Sequence, residues 1–144
     1  MFSKTCEHAI KAVIFVTRQS LEGRRTNLRE IATGIESPEN YTAKILQLLV
    51  KNGFLLSVKG ANGGFETNLD RMKALPIMRV IEAFDGDFIT NGCLFGLKSC
   101  SHLAPCPIHH QYAPVRSKLT GILENTHVLD LAMGFLSGKS ILKE

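Results

Sequence analysis

A mainly α-helical fold with one small β-hairpin is predicted for this 144-residue chain by three observations. Apolar residues recur at helical spacing over most of its length. Glycines, prolines and capping residues cut that pattern into segments of ordinary helix length. Two short runs of strand type flank a Gly60-Ala61-Asn62-Gly63 turn. The length suits one ordinary domain, and 44% apolar residues is ample for a packed core.

The first helix is expected over residues 4–20, where Ile10, Val13 and Ile14 repeat on one face, and Gly23, Arg24 and Arg25 break it. Asn27 followed by Glu30 makes a capping-box pair that starts a short helix, which Gly34 ends. Ser37 as N-cap and Pro38 as first-turn proline open a third helix, running to Asn52 and stopped by Gly53. On it Tyr41, Ile45, Leu48 and Leu49 share a face that should pack, while Asn40, Lys44, Gln47 and Lys51 line another. Taken alone, that second face is the solvated side of any surface helix. Two short helices around a turn are also what a helix-turn-helix needs, with the second helix presenting donors to base edges and phosphates.

The next segment favours the second reading. Phe54 to Lys59 and Gly64 to Asn68 read as two strands of a hairpin, and helix-turn-helix followed by hairpin is the order of a winged helix. Lys59 and Asn62 at the hairpin tip are placed to meet phosphate or the minor groove of double-stranded DNA. The candidate DNA-contacting set is therefore Asn40, Tyr41, Lys44, Gln47, Lys51, Lys59 and Asn62. Charge permits this partner without identifying it. The net charge is +4, yet residues 1–70 carry nine basic and seven acidic side chains, so there is no basic block.

Pro76 and Gly86 bracket a further helix with Ile77, Val80, Ile81 and Phe84 as its apolar stripe. Beyond a cysteine-rich loop, Ile108, Tyr112, Val115, Leu119 and Ile122 alternate at spacings of four and three, the seam of a helix pair joining two copies of the chain. Packing onto the chain's own domain is the alternative for that stripe. Pro114 lacks a backbone donor, so the long helix is expected to begin there. A short helix over 128–136 closes the chain, and the tail from Ser137 is expected to be mobile. The division that follows is a winged helix-turn-helix domain at 1–86, a metal or cluster loop at 87–107, and a dimerisation helix with a C-terminal helix at 108–144.

The loop carries the chemistry. Cys93, Cys100 and Cys106 fall within fourteen residues that have no helical or strand periodicity, and His109 and His110 follow directly. Six residues separate the first two cysteines and five the next two, wider than the roughly two to four between paired cysteines of a structural zinc finger. Soft thiolates favour iron–sulfur clusters, zinc or cuprous copper, and a 2Fe–2S centre accepts histidine among its ligands. Zinc, or three free thiols without a cofactor, are the alternatives. Cys6 lies outside the loop and reads as a buried core thiol.

The amino-terminal segment places Lys4, Glu7 and His8 where a signal peptide needs an apolar run, and no stretch is long enough to span a bilayer, so a cytoplasmic protein without membrane association is expected. Cysteines in a reducing compartment argue for metal or redox work rather than a disulfide framework. An enzyme using Cys106 with His109 is disfavoured. There is no glycine-rich phosphate loop before a helix, no recognisable pair of carboxylates, and little chain left to build a cleft.

Several segments together resemble the Rrf family of bacterial winged-helix transcriptional regulators. They are Ala9-Ile10-Lys11-Ala12, Leu28-Arg29-Glu30-Ile31-Ala32, Tyr41 with Ile45-Leu46, and Ser57-Val58-Lys59-Gly60 leading into Gly63-Gly64-Phe65. The resemblance covers nearly the whole chain, and the three-cysteine loop is similar to that of the iron–sulfur, IscR-like and NsrR-like members. It implies a dimeric regulator, a repressor in the main, whose operator affinity follows a 2Fe–2S cluster responding to nitric oxide, redox state or iron–sulfur supply. In IscR-like proteins the histidine three residues past the last cysteine is the fourth ligand, which is His109 here. In NsrR-like proteins an acidic residue of the first helix reaches over from the partner chain, and the matching position is Glu7. The chain departs from the pattern twice. It has one extra residue between Cys93 and Cys100, and it has Ala43 where the family often has a glutamate that helps choose the DNA motif, so operator preference does not transfer. A cluster-free thiol-sensing regulator and a zinc-stabilised interaction domain are the competing readings.

Overall fold

In the computed structural model, which describes residues 1–136, helix α1 spans Lys4–Leu21 and forms the spine of the molecule. Ser3 caps it by accepting the Cys6 N–H at 3.0 Å. Its packed side is wider than the Ile10-Val13-Ile14 stripe. Cys6, Ala9, Ala12, Val13, Ile14 and Val16 are all buried, whereas Ile10 is only half-buried. Three of those six are alanine or cysteine, whose small side chains let other helices approach α1 closely.

Helix α2 (Leu28–Gly34) forms with the full capping box, Asn27 accepting from the Glu30 N–H at 2.9 Å and Glu30 accepting from the Asn27 N–H at 3.2 Å. Gly34 is its last residue, where the sequence placed the end of the helix. A Cβ there would lie 2.3 Å from the Phe15 ring, so any larger residue would have to displace that ring. The left-handed residue of the following turn is Glu36, with φ 56°.

Helix α3 (Glu39–Lys51) corrects two expectations. Pro38 occupies the N-cap position, and the Ser37 hydroxyl is buried with no hydrogen-bond partner, so Ser37 caps nothing. Leu48 is not on the packed face. It is 43% exposed, and the buried stripe is Thr42, Ile45, Leu46 and Leu49.

The hairpin is shorter than the predicted runs: β1 (Leu56–Val58) pairs antiparallel with β2 (Gly64–Glu66), Ser57 opposite Phe65. Phe54 and Leu55 turn into the core instead of extending the ladder, with the Phe54 N–H held by the Leu49 carbonyl at 2.9 Å. Asn68 leaves the second strand to cap an unforeseen helix, α4 (Leu69–Ala74), by accepting the Arg71 N–H at 3.1 Å. α5 spans Ile77–Asp85 and ends at Gly86. A second unforeseen helix, α6 (Phe88–Asn91), sits inside the segment read as loop.

Helix α7 runs from His109 to Asn125, straight through Pro114. The expectation that Pro114 starts the helix is wrong because the proline falls in the second turn, where it removes a single ladder bond while the flanking turns hold. Helix α8 (Val128–Leu136) returns to α1, with Val128 and Ala132 fully buried in the same core. Backbone bonds from Ile77 N–H to the Thr126 carbonyl (2.8 Å) and from Val128 N–H to the Leu75 carbonyl (3.0 Å) pin the α7–α8 turn to the α4–α5 turn. The expected mobile tail from Ser137 lies outside the described residues. No helix among the described residues is long and apolar enough to cross a membrane.

Candidate metal centre and DNA-contacting face

Two surfaces carry the residues singled out in the sequence. The first is the outer side of α3 with the hairpin beside it. Asn40, Lys44, Gln47 and Lys51 are all exposed along α3, and Lys59 and Asn62 are exposed on the hairpin. Tyr41 differs from these. It is half-buried against α1, its hydroxyl 2.9 Å from Thr5 Oγ1 and its ring edge-on to His8. Its phenol fixes the angle between α1 and α3 more directly than it offers a surface group.

The sequence treated Arg24 and Arg25 only as helix breakers, and for Arg25 that missed its work. Arg25 Nε donates to Glu66 Oε2 at 2.9 Å, and its Nη1 donates to the Asn62 carbonyl at 3.3 Å. The guanidinium thus ties the hairpin tip to the turn between α1 and α2. Beneath it Thr26 bridges Phe65 through the backbone, giving the hairpin a short third edge. The geometry orients the wing relative to α3 with a rigid backbone contact and one planar charged fork.

The second surface is the loop from Gly92 to Ile108, which with the first residue of α7 holds the four predicted donors. Cys93 is 3% exposed, with the Leu97 and Phe95 backbone N–H groups directed at its sulfur and Cys106 acting on it more weakly. Those backbone donors, Leu97 first, hold the Cys93 thiol below its ordinary value even though burial opposes this. A Gly96 N–H to Cys93 carbonyl bond of 3.0 Å closes the turn that aims them. Cys100 Sγ lies 3.2 Å from His109 Nδ1. His109 is 1% exposed at the start of α7, where its backbone N–H is held by the Cys106 carbonyl at 3.0 Å. Burial first, then repulsion from His102 and His110 when those rings are protonated and from Arg116, keep its imidazole below the ordinary value and hence neutral near pH 7.

His102 is the residue the sequence reading overlooked. Its Nδ1 lies 2.9 Å from His109 Nε2, the rings edge-on at 89° with centroids 4.5 Å apart. Its place two residues after Cys100 was the available signal. Glu7, the alternative ligand from a partner chain, has Lys4 Nζ 3.0 Å away in its own chain, and that lysine, ahead of other causes, holds its carboxyl low. Among the described residues no group of three or more His, Cys, Asp or Glu side chains forms a ready metal cluster. The donor set nevertheless suits soft-metal chemistry: three thiols, one stabilised by backbone N–H groups as a thiolate would be, and one neutral imidazole.

Outside the loop, Val115 (61%) and Ile122 (54%) stand exposed on α7, while Leu119 packs against the chain's own core. The predicted seam is thus divided between two faces. Arg116 bonds back to the Gly92 carbonyl at 3.1 Å, joining α7 to the entrance of the cysteine loop.

Residues 2–134 match the profile of the Rrf2 family, described as iron-dependent transcriptional regulators. A protein of Aquifex aeolicus named as an HTH-type transcriptional regulator is 30% identical over 133 residues, covering 91% of this chain and 90% of its own. The cysteine regulator CymR of B. subtilis shares the fold with a TM-score of 0.74 at 20% identity, over 92% of this chain and 96% of that one. T. potens IscR does so with a TM-score of 0.72 at 16% identity, over 98% and 92%.

Proposed function

The chain belongs to the Rrf2 family of transcriptional regulators, and from that premise we propose that it is a homodimeric, DNA-binding repressor whose operator affinity is set by a 2Fe–2S cluster. Cys93, Cys100, Cys106 and His109 would hold the cluster, which when bound would supply a centre that nitric oxide, oxidant or iron shortage can alter. The observation that carries this reading is the 3.2 Å contact of Cys100 Sγ with His109 Nδ1, in the loop that also holds Cys93 and Cys106. A two-iron cluster takes two protein ligands on each iron, and the backbone N–H groups aimed at Cys93 are the hydrogen bonds that tune such sulfurs. The contact of His109 with Cys100 favours it over Glu7 as fourth ligand, since Glu7 is engaged by Lys4.

The chain's own residues carry the signal to DNA. Cys93 follows α6 and Cys106 precedes α7, so holding both ties the two ends of the loop together. Arg116 links that loop to α7, and α7 packs on α5, α5 on α1, and α1 on the reader helix α3. In the dimer, exposed Val115 and Ile122 meet their counterparts, so a shift of α7 changes the spacing of the two α3 helices. Asn40, Lys44, Gln47 and Lys51 enter the major groove and Lys59 and Asn62 meet the backbone beside it. A coupling of about 1–3 kcal/mol suffices to move affinity by roughly fivefold to over a hundredfold.

Three free cysteines in one loop, Cys93, Cys100 and Cys106, also favour a second reading, in which such thiols form a redox couple without a cofactor. Anaerobic purification followed by a visible spectrum and iron, sulfide and zinc analysis separates the two. Iron and sulfide in equal amounts support the cluster. Zinc alone, or no metal after reconstitution, overturns it and leaves a structural site or a thiol sensor.

A further inference from the structure

We propose that His102 is a positioning residue for His109: it accepts the Nε2 proton of that ring and so turns the bare Nδ1 toward Cys100, making Nδ1 the ligating atom. This role for His102 rests on the cluster reading for its purpose, while the two rings themselves supply its geometry. Both nitrogens of His109 are committed, Nε2 to His102 Nδ1 at 2.9 Å and Nδ1 to Cys100 Sγ at 3.2 Å. His109 is buried and His102 exposed. A buried neutral imidazole carries one proton, so the location of that proton decides which nitrogen has a free lone pair.

His102 decides it. A solvent-exposed neutral histidine prefers its proton on Nε2, which leaves Nδ1 as an acceptor. The shared bond is then His109 Nε2–H donating to His102 Nδ1, and the lone pair of His109 Nδ1 faces the sulfur of a predicted ligand. Ligating histidines commonly have their tautomer fixed by the hydrogen bond made at the other nitrogen, and here the partner is a second imidazole. The opposite arrangement would protonate Nδ1 and place a donor where a metal ion should bind.

The test uses the full chain, metal-free, with ¹⁵N in the histidine rings, and reads the long-range ¹H–¹⁵N correlations of His109 near pH 7.5. The expected result is a protonated Nε2 and a bare Nδ1. His102→Leu is expected to lose that pattern, and His102→Gln, whose amide oxygen can accept the same proton, to restore it. Protonated Nδ1 in the unaltered protein, or an unchanged spectrum in His102→Leu, overturns the proposal. In reconstituted protein His102→Leu should also release iron to a chelator about 10- to 100-fold more readily. Because the tautomer is read without metal, failure of the cluster reading shows as absent iron and sulfide and leaves the ring measurement standing on its own.

Discussion

Thr26 and Phe65 exchange both of their backbone hydrogen bonds, Thr26 N–H to the Phe65 carbonyl at 3.1 Å and Phe65 N–H to the Thr26 carbonyl at 2.8 Å. This bridge docks the wing on the turn between α1 and α2 and depends on Gly64. Gly64 has φ +139°, and a Cβ there would lie 2.7 Å from the Thr26 oxygen. Gly64→Ala should therefore cost about 1–3 kcal/mol in urea unfolding, the usual size of local backbone strain. It should also weaken operator binding, because the wing would no longer be held beside α3. Full stability and full affinity in this variant would remove the bridge from the account.

The two N-termini after α1 should respond oppositely to the same change. Asn27→Ala breaks a complete capping box and should cost about 1 kcal/mol, whereas Ser37→Ala removes only a hydroxyl without a partner and should cost nothing or stabilise slightly. The Thr26 hydroxyl, then the Asn27 N–H, hold the Glu30 carboxyl below its ordinary value. A depressed carboxyl contributes stability above its unfolded value and loses it as pH falls through the folded one. Acid titration of Glu30→Gln against the unaltered chain should show a shallower loss below about pH 4.5.

On α3, Lys44 and Gln47 should separate position from specificity. Lys44→Ala is expected to lower affinity for all DNA sequences alike and to reduce the salt slope by about one, while Gln47→Ala should cost about 1–3 kcal/mol at one operator position. Both side chains are exposed, so folding stability should stay within about 0.5 kcal/mol. Anisotropy titrations at several salt concentrations would show this. No effect from either substitution would place the reading surface elsewhere.

Cys6 should behave as core and not as sensor. Burial, with Asp85 beside it, pushes its thiol up to about 12. A raised value means that stability is fully present below the unfolded thiol's value near about 8.5 and is lost as pH climbs from there. In metal-free protein at pH 8, half-buried Cys100 and Cys106 should alkylate while Cys6 stays protected until denaturant is added. Mass spectrometry reads the order directly, and early labelling of Cys6 would contradict the buried assignment.

Helix α1, the capping box at Asn27 and Glu30, the stop at Gly53 and the order of hairpin after helix were legible because each rests on contacts within a few residues. The misreadings share a different origin. Gly34 was legible as the end of α2, whereas the Phe15 ring packed against it comes from another helix and was not. Asn68 looked like strand because the cap it offers α4 competes locally with the ladder, and Leu69, Met72 and Leu75 were too few to announce a helix. Leu48 and Leu119 were assigned faces by spacing alone, which cannot say which neighbour covers them. In the site, the donors Cys93, Cys100, Cys106 and His109 stood out by spacing, but the contact of Cys100 with His109 and the role of His102 depend on how the loop folds back on α7.

Occupancy of the cysteine loop is proposed to set DNA affinity. The most direct measurement is the operator affinity of one anaerobic preparation before and after its iron and sulfide are removed, beside a chain with Cys93, Cys100 and Cys106 all changed to Ala. A shift of roughly fivefold or more on removal is expected, with the substituted chain fixed at the metal-free value. Equal affinity in all three, with the dimer intact, would contradict it.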